Sequence, residues 1–166
     1  MSLPPSAISV VVADAGPLIA LGRLDHLALL TAVFQQVQVP HVVLAECMLR
    51  RDLSDARRIA AALADGWLLP CDGPSVEAAG LGVGERAAIG RAQEIGAALL
   101  ADDQAARACA ARLGIVAIGT LGVLVKAHRL RLVPSVRALI DELRAGGHWL
   151  SDSAVEQALA AANEQS

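Results

Sequence analysis

The sequence predicts an α/β fold on a parallel sheet of four to five strands, with helices on both faces. Three observations carry that prediction. Strand-like and helix-like segments alternate along the chain, as parallel strands joined by crossover helices require. The segment ISVVVA, residues 8–13, is apolar and largely β-branched, as in a strand covered on both faces. The composition is 55% hydrophobic but only 2% aromatic. The apolar bulk is therefore Ala, Leu, Val and Ile, the residues of helices packed on a sheet.

Each element has its own signal. Asp14 ends the first strand, and Gly16-Pro17 predicts a helix starting at Pro17, where proline suits a first turn. A second helix is predicted over 24–34 and a short strand over 36–39. Pro40 then opens a helix that runs to about residue 50. Residues 54–64 follow as a helix with Ser54 or Asp55 as its cap, and Gly66 stops it. A brief strand is predicted over 67–69. Residues 82–95 read as a helix closed by Gly96, and 97–101 as a strand. The helix at 104–113 ends at Gly114, the usual residue just past a helix end. A strand over 115–118 and helices at about 121–129, 135–145 and 153–162 complete the chain. No internal repeat, low-complexity tract or convincing linker interrupts this order.

At 166 residues the chain has the size of one domain able to bury its own core. No apolar run approaches the ~18 residues that span a bilayer. The N-terminus shows no basic segment followed by an apolar one, so no signal peptide is predicted. A soluble, cytoplasmic chain with no membrane partner is expected. Cys47, Cys71 and Cys109 stand far apart, form no CxxC, and do not pair with His26, His41, His128 or His148 at zinc spacing. They read as buried free thiols in a reducing compartment. The net charge of −3 gives no bulk attraction to nucleic acid. The basic clusters Arg50, Arg51, Arg57, Arg58 and Lys126, Arg129, Arg131 read as solvated helix faces.

The carboxylates are more informative. Ligands of open α/β sheets sit beyond the carboxyl ends of the strands. Asp14 ends the first strand and lies two residues too early to cap a helix starting at Pro17. Glu46 shares a helical face with Val42, Ala45 and Leu49, and a glutamate on an apolar stripe requires a partner or a cation. Glu85 follows LGVG near a helix start, where it also complements the helix dipole. Asp102 and Asp103 follow an apolar strand. A cap accounts for one of them, so the natural division is one cap and one ligand, with the assignment open.

Asp14 and the aspartate pair both follow strands, on one edge of a parallel sheet. Four or five carboxylates meeting there could not all ionise without a cation. Mg²⁺ or Mn²⁺, hard and oxygen-preferring, is the fitting counter-ion. A carboxylate-held divalent pair suits phosphodiester hydrolysis. Other motifs fit less well. GLGVGE lacks the Gly-Lys-Ser/Thr of a P-loop and follows a loop rather than a strand. No Gly-x-Ser-x-Gly elbow exists. A phosphotransferase using Asp14 as nucleophile lacks the second Asp two residues on, where Gly16 stands.

Several segments fall in a telling order: DAGPLIAL after the first strand, AEC in the third helix, LGVGERAAI, ALLADDQAAR and GTLGVL. Together they resemble the PIN-domain family, and within it the small prokaryotic proteins related to VapC-type toxins. The resemblance covers roughly residues 10–143, and WLSDSAVEQAL is similar to that branch's C-terminal extension. It implies a Rossmann-like PIN-like nuclease domain over 1–145. It also implies a helical extension over 146–166, packing on the domain or on a second subunit. It implies a metal-dependent ribonuclease site with the first acid on Asp14, the second on Glu46 and the third on Glu85. The fourth falls on the Asp102-Asp103 pair, with Asp103 favoured. Ala15 and Ala101 stand where the family often has hydroxyl residues, which bears on catalytic strength more than on metal binding. Arg107, one turn into the following helix, is a candidate for substrate phosphate. The expected function is thus a Mg²⁺/Mn²⁺-dependent endoribonuclease, the toxin of a toxin–antitoxin pair. Its partners would be RNA, a small antitoxin and a second copy in a homodimer. The alternative is a catalytically weak or inactive PIN-like module that binds RNA or a protein partner.

Overall fold

The computed structural model describes residues 8–50 and 52–164. The chain start, on which the signal-peptide expectation rests, and Arg51 of the first basic cluster lie outside the described residues. The described residues form five parallel strands in the order β3-β2-β1-β4-β5. These are β1 (Val10–Ala13), β2 (Gln36–Pro40), β3 (Leu69–Cys71), β4 (Ala98–Leu100) and β5 (Ala117–Ile118). The predicted α/β class with a parallel sheet is what the chain adopts.

Side chains alternate across the central strands. Val11, Ala13, Ala98 and Leu100 enter the larger core, while Val12 and Leu99 enter the smaller. The larger core lies under α1 (Ala15–Arg23), α2 (Ala28–Val33), α3 (His41–Cys47), α4 (Ser54–Ala64) and α7 (Thr120–Arg129). It also takes in α8 (Val136–Ala145) and α9 (Asp152–Ala161) through Val136, Ile140, Val155 and Leu159. The smaller core lies under α5 (Val83–Ile95) and α6 (Gln104–Arg112). Among the described residues, no helix is long and apolar enough to cross a membrane.

Among the local readings that change are the starts of α1 and β3 and the buried face of α3. α1 begins at Ala15, not Pro17. Pro17 is accommodated because first-turn N–H groups have no helical partner to lose. Asp14 therefore occupies the N-cap position, yet its side chain makes no capping hydrogen bond. β3 lies two residues later than predicted, because its register with β2 pairs Leu69 with Gln38 and Cys71 with Pro40. α3 ends at Cys47 and buries Val43, Leu44 and Cys47. The face of Val42, Ala45 and Glu46 is turned outward, so the apolar stripe inferred around Glu46 is not a buried one.

Both basic clusters are tied down in part. Arg58 donates to the Gly22 carbonyl at 2.7 Å, and Arg57 to that of Asp52. Lys126 lies over the Phe34 ring, and Arg129 reaches the Ala161 carbonyl at 3.1 Å. The three cysteines are free and buried.

Candidate metal and phosphodiester site

The register of β1 with β4 pairs Ala13 with Leu100, so the chains leave the sheet side by side at its carboxyl edge. Asp14 is the first residue beyond β1, and its N–H donates to the Leu100 carbonyl at 2.9 Å. Ala101 donates likewise to Ile118 of β5 at 2.9 Å. Asp14, the Asp102-Asp103 pair and the start of α7 are thereby held on one edge.

Asp14 is 7% exposed. Burial pushes its carboxyl up to about 6, against the opposing pull of the Ala15 N–H, and the charges of Glu85, Glu46 and Asp103 raise it further. These three are the acids expected from the sequence to share the site with Asp14. Gly84 shows how closely two of them approach. A Cβ there would stand 2.9 Å from Glu46 Oε2 and 3.6 Å from Asp14 Oδ1. The missing side chain lets α5 begin directly against both carboxylates.

Glu85 fills the dipole-complementing role open to it. Its Oε2 accepts from the Gly82 N–H at 2.8 Å, the half of a capping box that a glycine N-cap allows, at the start of α5. Its other oxygen has no hydrogen bond among the described residues. Cys47 neighbours the same charges. Burial first, then Glu46 and Asp14, push its thiol up to about 12, so it stays protonated at neutral pH.

The aspartate pair divides its work differently from the one-cap, one-ligand scheme. Asp103 caps α6 by accepting from the Ala106 N–H at 2.8 Å, and it is also the member of the pair whose charge is felt at Asp14. Asp102 accepts from the Thr120 N–H at 2.7 Å and from the Thr120 hydroxyl at 2.6 Å. Its Oδ2 also lies 3.8 Å from where a Cβ on Gly16 would be. Asp102 thus joins the end of β4 to the start of α7. Thr120, fully buried, is the site-edge residue that sequence reasoning passed over. Its signal was a lone hydroxyl after Gly119 at the end of an apolar strand. Arg107 folds back and donates to the Ala101 carbonyl at 3.2 Å, so it braces the β4 end instead of standing free.

Among the described residues, no three His, Cys, Asp or Glu side chains converge closely enough to grip one ion. The donor chemistry nonetheless fits a hard divalent cation. The donors are all carboxylates, and the buried one is held above its ordinary range first by burial and then by like charges that a cation would offset. Two other concavities lie elsewhere, at the amino edge of the sheet and between α5, α6 and the 74–81 segment. The acids stand at an open edge where Glu46 and Asp103 are exposed.

The comparisons agree with this architecture. A family model described as DUF3368, a PIN domain, matches residues 10–164. A solved PilT N-terminus domain protein from the archaeon Sulfolobus solfataricus is similar in fold. The TM-score is 0.52 at 19% identity, over 71% of this chain and 92% of that one. Comparison with curated proteins gives no match. With a match running from the first strand to beyond the last helix, the chain belongs to the PIN-domain family, generally a nuclease fold that usually works with divalent metals.

Proposed function

We propose that the protein is a Mg²⁺/Mn²⁺-dependent endoribonuclease, with Asp14, Glu46, Glu85 and Asp103 as its metal-holding acids. The observation that carries this reading is the buried Asp14 carboxyl, pushed up to about 6 with three further acids in its field. Asp14 supplies the fixed ligand, because the β1 ladder and its own burial leave it little freedom. Glu46 and Asp103, exposed at the rim, and the unpaired oxygen of Glu85 complete an all-oxygen set. A bound divalent cation supplies Lewis-acid polarisation of phosphoryl oxygen and acidification of water. Asp102 and Thr120 hold the β4 end and the α7 start in register, which keeps Asp103 in place. The open edge admits a polymer chain.

Within this reading the protein is the toxin of a toxin–antitoxin pair, with RNA as substrate. Val42 and Leu49, exposed on either side of Glu46 along the chain, support a protein partner near the mouth of the site. That partner is a small antitoxin or a second copy of the chain. The catalytically weak binding module is favoured by Ala15 and Ala101, both buried where hydroxyl residues were expected.

Purified protein with Mn²⁺ is expected to cleave RNA, and Asp14→Asn to reduce cleavage to background while leaving the circular dichroism intact. Equal cleavage by that variant would rule out this site. Mn²⁺ calorimetry separates the two readings, because a binding module without a metal site gives no heat.

A further inference from the structure

The α8–α9 loop, residues 146–151, lies at the same end of its helix layer as the start of α7, where Thr120 holds Asp102. Three helices share their distant end. Glu164, just past α9, accepts from the Val136 and Arg137 N–H groups and the Ser135 hydroxyl at the start of α8. Arg129, at the end of α7, donates to the Ala161 carbonyl of α9. At the opposite end stand the start of α7, where Thr120 holds Asp102, and the α8–α9 loop. The charge of Asp102 is felt at His148, as is that of Arg23.

This loop is anchored. The His148 N–H donates to the Leu143 carbonyl at 2.9 Å, and Gly147 takes the left-handed conformation that turns the chain off α8. Leu150 packs against the larger core. Arg144 clamps the Leu150 carbonyl and the Asp152 carboxylate, at 3.4 and 2.8 Å. Between these anchors Trp149 is 83% exposed. An indole held in water on a fixed loop, next in the chain to His148, is a ready stacking surface.

We infer that Trp149 is a substrate-positioning residue that stacks on an unpaired base of single-stranded RNA next to the phosphodiester bound at the carboxylate edge. The inference rests on the nuclease reading above. Single-stranded RNA fits because its bases are free to splay onto aromatic faces, whereas those of a duplex are stacked inside. The exposed Arg23, whose charge is felt at the neighbouring His148, offers positive charge for the adjoining phosphate.

The chain has two tryptophans, so Trp67→Phe leaves Trp149 as the sole indole reporter. A short single-stranded oligoribonucleotide, titrated in chelator so that nothing is cut, is expected to quench its emission. In the otherwise natural chain, Trp149→Ala is expected to weaken oligonucleotide binding and raise KM at least about fivefold. The melting temperature should stay unchanged, and Trp149→Phe should restore most of the loss. A Mn²⁺-active protein with no quenching and an unaltered KM in Trp149→Ala would overturn the stacking role and leave the nuclease reading standing. Emission that shifts with protein concentration alone, with a smaller particle for Trp149→Ala, would place a second copy on this surface and also overturn it. Quenching by RNA in a protein with no Mn²⁺-dependent cleavage would sink the nuclease reading while keeping the stacking contact.

Discussion

Asp103 carries two duties that a single substitution can separate. Its Oδ1 accepts from the Ala106 N–H, and its charge acts on Asp14. Asparagine caps a helix about as well as aspartate, whereas alanine does not. Asp103→Asn is therefore expected to keep the denaturation midpoint while losing Mn²⁺ affinity and cleavage. Asp103→Ala should lose those and also about 1 kcal/mol of stability. Urea unfolding and Mn²⁺ calorimetry on the pair check this. Natural Mn²⁺ affinity in Asp103→Asn would assign the residue to capping alone. Asp102 offers no such separation, because both its oxygens are engaged by Thr120.

At the scale of elements, the start of α5 is where backbone and site meet. Gly84 is buried, and an added Cβ would crowd Glu46 Oε2 at 2.9 Å and the Val43 side chain at 3.3 Å. The Glu46 carboxylate ends a flexible side chain and swings away. Alanine also favours the helix by up to about 1 kcal/mol over glycine. Gly84→Ala is thus expected to change stability by less than about 1 kcal/mol, a near-cancellation of helix gain and crowding. Its Mn²⁺ affinity should nevertheless fall several-fold. Thermal melts beside calorimetry read both, and unchanged affinity would remove Glu46 from the metal set. The same element shows what the sequence could disclose. The first-turn Glu85, the Gly96 stop and the apolar run into β4 are local signals, and each was legible. The face of α3 was not. Val42, Ala45 and Leu49 have helical spacing, but Val43, Leu44 and Cys47 do also, and packing on the core chose the second set. The start of α1 was misplaced because Pro17 is permitted at several first-turn positions. The bond from Thr120 to Asp102 spans 18 residues of sequence. It exists only because β5 lies beside β4, a fact of sheet order that no local pattern contains.

For the whole molecule, the buried Asp14 couples global stability to pH. Its carboxyl is pushed up to about 6 in the fold, well above the ordinary aspartate value of 3.8. A raised acid favours folding while both states are protonated. That advantage is complete below about pH 4 and is lost as pH rises through 6, because the unfolded chain ionises Asp14 more easily. That displacement corresponds to about 3 kcal/mol at most. Asp14→Asn removes the ionisation and keeps a similar shape. In chelator at pH 7.5 it is expected to unfold at a higher temperature than the natural protein, with the gap closing as pH is lowered from 7 to 4. Mn²⁺ should reverse the order. A ligand that binds only the folded state adds about 2.7 kcal/mol at a hundred times its Kd, and only the natural protein retains the Asp14 carboxylate to hold it. Melting curves of both proteins across pH, with chelator and with Mn²⁺, supply the four comparisons. A constant gap between them from pH 4 to 7.5 would show that Asp14 is not the strained acid of this fold. An equal Mn²⁺ response in both would move the metal away from β1.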